Sequence, residues 1–245
     1  MNAQTLKENI LSGALDVRLA KLYGSDEGVL ASQRARYAAL IDEFASRYGA
    51  DRDIALFSVP GRSELSGNHT DHNHGCVIAG SIDLDIIAVA AKNEDSTVRI
   101  KSEGFPEDVV DIDTFNTPVE SRFGKSDALI AGVADGFRAR GYKVGGYDAC
   151  TTSSVLKGSG LSSSAAFENM VGLMLSHFYN EGSVDFVTLA QISQYSENKF
   201  FGKPCGLMDQ MACSVGGFVQ IDFNDPSAPV INKVDFDFAS CNHAL

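Results

Sequence analysis

Apolar residues recur at helical spacing through the first 49 residues and predict two helices. The apolar positions are Leu6, Ile10, Leu15, Leu19 and Leu22 in the first helix, and Leu30, Tyr37, Leu40, Ile41, Phe44 and Tyr48 in the second. Gly24 and Gly49 follow the two runs, and glycine commonly ends a helix. We therefore expect a helical N-terminal extension over residues 1–49.

Beyond Gly49 the pattern becomes that of strands. Residues 54–59 predict a strand, which we expect Pro60 and Gly61 to stop. The apolar runs 77–82 and 84–91 predict two buried strands. Alternation over 97–101 and 109–113 predicts a half-exposed hairpin.

Helices dominate the next part of the chain. We expect helices over 127–140, 164–179 and 185–200, and strands over 147–155, 218–223 and 230–238. Strands come first and helices later, with few strand–helix–strand units between them. This order predicts an α+β fold with helices on one face of the sheet.

Charge and composition narrow the possible partners. Twenty Lys and Arg against 32 Asp and Glu give a net charge of −12, so we expect no nucleic acid partner. No signal peptide or membrane-spanning run is visible. The five cysteines form no C-x-x-C pair. We interpret them as reduced thiols and expect a cytoplasmic protein.

Three segments hold the candidate chemistry, and the first is the polar loop Gly61–Gly75. It contains Arg62, Asp71 and three histidines, His69, His72 and His74. Three interpretations stay open for the loop alone: a metal site, a solvated turn, or a pocket whose Asp and His side chains bind the hydroxyls of a sugar. We favour the sugar pocket for a reason given below.

The second segment, Lys157–Ala166, is rich in glycine and serine and leads into a helix. Small residues let the backbone approach a ligand, and N–H groups at a helix N-terminus bind anions. This points to phosphate binding. The alternative is a flexible linker that ends in a serine cap. The strand and the apolar helix that flank the segment argue against a linker.

The third segment, Gly202–Met211, contains Asp209 in an otherwise uncharged run, with Glu197 upstream. Alone, Asp209 is interpreted as a helix cap or a desolvated functional acid. Alone, Glu197 is interpreted as a solvated charge at the exposed end of its helix.

Together the three segments resemble the galactokinases of the GHMP kinase superfamily. Gly61–His72 is similar to the signature G-R-x-N-L-I-G-E-H-T-D-Y, Gly158–Ala166 to the loop G-x-G-L-S-S-S-A-A, and Cys205–Gln210 to C-G-I-M-D-Q. The resemblance implies a GHMP-kinase N-terminal domain of the ribosomal protein S5 domain 2-like fold. We expect it over residues 50–223, with 224–245 starting a ferredoxin-like C-terminal domain. The chain is then the N-terminal part of a longer protein.

The resemblance also implies roles for individual residues. Asp209 matches the catalytic base, and Arg62 matches the arginine that steadies the transferring phosphoryl group. Ser164 and Glu197 match the Mg²⁺ ligands. The expected ATP-binding residues are Ser102, Gly158, Ser159, Gly160, Leu161, Ser162, Ser163 and Ser164. The expected sugar-binding residues are Asn68, His69, Thr70 and Asp71.

The chain departs from the family pattern at four positions. The family's Asn is Glu64, its Ile is Ser66, its sugar-contacting Glu is Asn68 and its Tyr is His72. The matches to the base and its arginine are intact, so these changes bear on which sugar is bound.

Three functions remain as hypotheses. The first is an ATP- and Mg²⁺-dependent sugar-1-kinase, for galactose or another hexose. The second is a galactokinase-like sensor that binds both ligands and regulates through a partner protein, for which the N-terminal helices offer a surface. The third is a metal-dependent hydrolase that uses the His cluster, and we rank it last.

Overall fold

A computed structural model describes residues 1–156 and 158–236. Lys157 and the end of the last expected strand fall outside this range. The described helices are α1 (Ala3–Leu11), α2 (Asp16–Tyr23), α3 (Glu27–Tyr48), α4 (Ser126–Ala139), α5 (Ser163–Tyr179), α6 (Phe186–Ser196) and α7 (Met208–Val215). The described strands are β1 (Ala55–Ser66), β2 (Cys76–Lys92), β3 (Thr97–Ser102), β4 (Glu107–Asp111), β5 (Tyr147–Ser153), β6 (Phe218–Asp222) and β7 (Val230–Val234).

The chain forms two compact units. The first contains Met1–Ser58, Ile87–Phe115 and Gly145–Ser153. The second contains Val59–Ile86, Asn116–Val144 and, within the described part of the chain, 154–156 and 158–236. The units do not test the expected domain boundaries at residues 49 and 223, which stay predictions.

In the first unit, the N-terminal helices share one core with the strands. The strand order is β4–β3–β5 followed by the second half of β2, with β3 antiparallel to β4 and parallel to β5. The expected hairpin of β3 and β4 is therefore confirmed. This core includes Leu6, Ile10, Leu19, Tyr37 and Phe44 from the helices and Ile87, Val89, Ala91 and Cys150 from the strands.

The expectation of two N-terminal helices is wrong, because three are present. The chain turns at Ser12–Leu15, where Gly13 has a φ of +80°, a conformation that glycine adopts without steric cost. The apolar spacing runs across this turn, so it gave no sign of the break. One residue of the expected apolar stripe, Leu22, is half exposed.

In the second unit, four helices accompany an antiparallel part of the sheet. The first part of β2 pairs with β6, from Cys76 opposite Asp222 to Gly80 opposite Phe218, and β6 pairs with β7. Helix α6 packs against α4, α5 and α7. None of the helices in the described part of the chain is long and apolar enough to cross a bilayer.

Two expected strand ends do not occur. β1 continues through Pro60 and Gly61. Gly61 lets the strand approach another segment closely, because a Cβ there would lie 2.8 Å from the carbonyl oxygen of Leu161. β2 is one strand of 17 residues, not two. It stays paired past Asp83 because Asp85 and Ser154 exchange backbone and side-chain hydrogen bonds.

Replacing Phe44 with Ala tests whether the N-terminal helices and the strands of the first unit share one core. The ring is fully buried, so its loss should lower the free energy of unfolding by about 3–5 kcal/mol, measured by urea denaturation. Val17→Ala, on the exposed face of α2, is the control and should change it by less than about 0.5 kcal/mol. A Phe44→Ala chain as stable as the control would contradict the shared core.

Candidate active site

Arg62 and Asp209 form a charged pair between β1 and the start of α7. Nε and Nη2 of Arg62 donate to Oδ1 of Asp209 at 2.8 and 2.7 Å. Arg62 is buried, whereas a third of the Asp209 side chain is exposed. Leu207 holds the N-cap position of α7, so Asp209 is in the first turn and is not the cap. The helix dipole favours its negative charge there.

The guanidinium of Arg62 also binds the glycine-rich loop, Gly158–Ser164. Nη1 of Arg62 donates to the carbonyl oxygen of Gly160, and the backbone N–H of Arg62 donates to that of Leu161. Gly158 and Gly160 have φ values of +79° and +78°, which explains the glycines of this segment. The loop thus lies against β1, within reach of the Arg62–Asp209 pair.

The end of this loop leads into α5 without a capping hydrogen bond from a serine side chain. Ser162 occupies the N-cap position in the left-handed conformation, and its side chain makes no capping bond. Its Oγ is buried and has no hydrogen-bond partner among the described residues. Ser162 therefore holds the cap position but does not make the capping hydrogen bond that the linker alternative expects. The start of a long helix instead offers N–H groups that can bind an anion.

Glu197 is buried, with 1% of its surface exposed. Its Oε1 accepts hydrogen bonds from Ser164 Oγ at 3.1 Å and from Lys203 Nζ at 2.9 Å. Its Oε2 accepts one from Gln210 Nε2 at 2.7 Å. The hydrogen bond to Glu197 raises the pKa of Lys203.

The interpretation of Glu197 as a solvated charge is therefore wrong. Glu197 is the first residue of a π-helical turn, Glu197–Phe201, that continues α6. Ser193 and Ser196 on the same helix are also fully buried. Polar side chains at these positions made this end of the helix resemble a solvent-facing surface. Single π-turns are frequent at functional sites.

Glu168 is a buried carboxyl group that sequence reasoning missed. It lies one turn after Ser164 on α5, fully buried, with its Oε2 3.4 Å from Gln210 Nε2. Burial, reinforced by the negative charge of Glu197, raises the pKa of Glu168 well above its usual value. The four-residue spacing from Ser164 was the available signal, since it places both side chains on one helix face.

Glu168→Gln should change how stability depends on pH. The unfolded chain loses the proton above the usual pKa of 4.5, while the folded chain keeps it. The stabilisation from neutral Glu168 is therefore present at low pH and is lost as pH rises. Relative to the wild type, Glu168→Gln should gain free energy of unfolding between about pH 5 and pH 8. A difference that stays constant over this range, like that of the exposed control Glu120→Gln, would contradict the raised pKa.

Asp71 ties the polar loop to α7. It is buried, and its Oδ2 accepts a hydrogen bond from the backbone N–H of Met208 at 3.0 Å. Gly206 leaves the space for this carboxylate, since a Cβ there would lie 1.8 Å from Oδ2. Asn68 and His69 are exposed, and Thr70 Oγ1 donates to the carbonyl oxygen of Gly67 at 2.8 Å.

Gly206→Ala should therefore disturb the loop and α7 together. We expect a loss of about 1–3 kcal/mol in the free energy of unfolding, because the new methyl group displaces the Asp71 carboxylate. Denaturation of Gly206→Ala, Asp71→Ala and the double variant measures the coupling. The double variant should be more stable than the sum of the single losses predicts, because Asp71→Ala removes the clash. Strict additivity would contradict the close contact.

The histidines of this loop point to different partners. His69 Nε2 lies 3.3 Å from Arg62 Nη2, His72 Nδ1 lies 3.4 Å from Asp71 Oδ1, and His74 Nδ1 lies 3.1 Å from the carbonyl oxygen of Asn224. Across residues 1–156 and 158–236, no group of three or more His, Cys, Asp or Glu side chains is placed to hold a metal ion. The arrangement gives the metal-site interpretation of this loop no support.

The second unit thus brings together most of the expected site residues. Arg62, His69, Asp209 and Gly160 are neighbours, and Ser164 contacts Glu197. Gln210, next to Asp209 in the chain, joins Glu197 to α7. Ser102 lies on β3 in the first unit, where its Oγ accepts a hydrogen bond from Thr151 Oγ1 at 2.9 Å. Its expected role in ATP binding stays a prediction.

Two families of known proteins match this chain over the segments that form the site. Residues 42–92 match the galactokinase galactose-binding signature, and residues 128–217 match the GHMP kinases N terminal domain. Galactokinases of Clostridium tetani and Bacillus subtilis are 36% and 34% identical over 174 and 177 residues, 71% of this chain in each case. The chain spans 44% of the length of each of these relatives.

Solved structures show the same fold. Lactococcus lactis galactokinase complexed with galactose matches with a TM-score of 0.73 and 28% identity, over 82% of this chain and 53% of that one. Methanococcus jannaschii mevalonate kinase matches with a TM-score of 0.62 and 16% identity, over 77% of this chain and 58% of that one. The second likeness concerns the fold alone.

Proposed function

Because this chain belongs to the GHMP kinases and carries the galactose-binding signature of the galactokinases, we propose that it serves in transfer of a phosphoryl group from ATP to the anomeric hydroxyl of a hexose. The expected acceptor is galactose, giving ADP and α-D-galactose 1-phosphate. The observation that carries the proposal is the Arg62–Asp209 pair beside the carbonyl group of Gly160.

Asp209 is the proposed base. Its carboxylate is held at one oxygen by Arg62 and is partly exposed, so a sugar hydroxyl can approach it. It accepts the hydroxyl proton as the oxygen attacks the terminal phosphorus. The proposed role of Arg62 is to stabilise the negative charge of the phosphoryl group during its transfer. Holding sugar and ATP in line supplies much of the rate enhancement, up to about 7–11 kcal/mol for well-oriented reactants.

The loop Gly158–Ser164 is the proposed triphosphate site. Its positive-φ glycines keep side chains out of the way, and the start of α5 adds N–H donors and positive potential. The unpartnered Oγ of Ser162 supports the assignment, because a buried hydroxyl without a partner gains from bonding to a phosphate oxygen.

Ser164 and Glu197 fit the proposed Mg²⁺ site. Their oxygens lie 3.1 Å apart, and a hydroxyl with a carboxylate is the kind of donor set that Mg²⁺ uses beside phosphate oxygens. A bound Mg²⁺ would neutralise charge on the phosphates. Lys203 shares the same oxygen of Glu197 and holds that carboxylate in place.

The proposed sugar-binding residues are Asn68, His69, Thr70 and Asp71. Of these, Asn68 and His69 are exposed and His69 contacts the Arg62–Asp209 pair, while Asp71 already accepts a bond from the start of α7. The cytoplasmic location expected from the sequence stays a prediction.

Release of ADP by the protein in its full natural length, with Mg·ATP, tests this function. The acceptors are galactose, galactosamine, N-acetylgalactosamine, glucose and galacturonate. We expect turnover with galactose, and a loss of about 10²- to 10⁴-fold in kcat for Asp209→Asn, since the amide cannot take the proton.

Asp83→Asn is the matched control, because it removes the same charge from an exposed position of β2 and should leave kcat unchanged. Turnover with another hexose alone would keep the chemistry and change the acceptor. ATP binding without turnover of any hexose, or full activity of Asp209→Asn, would overturn the proposal.

A further inference from the structure

A chain of polar contacts reaches the Arg62–Asp209 pair from Glu64. Oε2 of Glu64 lies 2.5 Å from Nδ1 of His69, and Nε2 of His69 lies 3.3 Å from Nη2 of Arg62. Nη2 of Arg62 also donates to Asp209. The Glu64 side chain is only 14% exposed, whereas that of His69 is 53% exposed.

Glu64 also fixes the backbone on which His69 sits. Its Oε1 accepts a hydrogen bond from the backbone N–H of His69 at 2.8 Å. Asn68 and His69 are both left-handed, with φ values of 55° and 52°, a conformation that costs free energy for residues other than glycine. Asparagine tolerates it better than most residues do. The backbone therefore gives a physical reason for Asn68 that does not involve the sugar.

The contacts decide which ring nitrogen of His69 carries the proton. A carboxylate can only accept, so Nδ1 must be the donor to Glu64. Nε2 of His69 lies 3.3 Å from Nη2 of Arg62 and 3.7 Å from Oδ1 of Asp209. Nη2 has two hydrogens, one for Asp209 and one for His69, so the shorter contact favours Nε2 as the acceptor. A proton on Nε2 would set two N–H donors against each other at 3.3 Å.

We infer that Glu64 is a positioning residue: it holds His69 as the Nδ1–H tautomer, so that Nε2 accepts from Arg62 and helps to orient its guanidinium on Asp209. The inference extends the proposed kinase function, since it concerns the alignment of the same base and arginine. It assigns a role to a position at which this chain differs from the galactokinase pattern.

The tautomer of His69 can be measured without turnover. Nitrogen-15 NMR of the imidazole rings in the full-length protein at pH 8, with the His69 signal assigned by its loss in His69→Gln, distinguishes Nδ1–H from Nε2–H. We expect Nδ1–H in the wild type. Glu64→Gln keeps the acceptor for the backbone N–H of His69 but presents an NH₂ group to Nδ1, so it should shift the ring to Nε2–H.

In the same variant we expect kcat to fall by about 10-fold or more, the size typical of losing an orienting partner of a functional histidine, with the KM for ATP unchanged. Glu120→Gln, at an exposed position, is the control and should change neither quantity. An Nε2–H or doubly protonated ring in the wild type would overturn the inference, even if the variant did not fold. So would an unchanged tautomer in folded Glu64→Gln.

The two proposals fail separately. A change of tautomer without phosphorylation of any hexose would support the role of Glu64 in orienting Arg62 and would refute the kinase function. Loss of turnover in Asp209→Asn with no change of tautomer in Glu64→Gln would support the kinase function and refute the role of Glu64.

Discussion

The guanidinium group of Arg62 joins segments that lie far apart in the chain. It bonds to the carboxylate of Asp209, 147 residues away, and to the carbonyl oxygen of Gly160, 98 residues away. A buried charge is stable only when its hydrogen-bonding capacity is met. Burial of Arg62 thus requires β1, the glycine-rich loop and α7 to meet at one point. The candidate site depends on this meeting.

The other constraint on the site is the crowding of carboxyl groups among α5, α6 and α7. Glu168 and Glu197 both lie within reach of the Gln210 amide, and both are buried. Two neighbouring negative charges in such a place would repel strongly. The raised pKa of Glu168 favours its neutral form and lessens this repulsion, while Ser164 and Lys203 contact the carboxyl group of Glu197. The Gln210 amide contacts both carboxyl groups, and Gln210 is next in the chain to Asp209, the proposed base.

The local elements were largely predictable from the sequence, while the pairings were not. Periodicity located α4, α5 and the β3–β4 hairpin, because each is decided by neighbours within a few residues. It failed at Gly61, where the neighbour that matters is Leu161. It also failed at Glu197 and Glu168, since burial of a polar side chain is decided by what packs on it from elsewhere. Resemblance to a family singled out Asp209 and Arg62 as candidates. Glu64 differs from the family pattern, and the role proposed for it rests on its contacts alone.

Gly61 and Gly206 have a consequence for inherited variation in this protein. Neither has a side chain that could touch a ligand, yet each allows a contact that the site requires, with Leu161 in one case and Asp71 in the other. A single added methyl group at either position changes the distance between segments that hold the proposed chemical groups. Surveys that score variants by the chemistry of the replaced side chain would rate Gly→Ala as mild at both positions. The spacing of the backbone predicts that either change displaces a neighbouring segment.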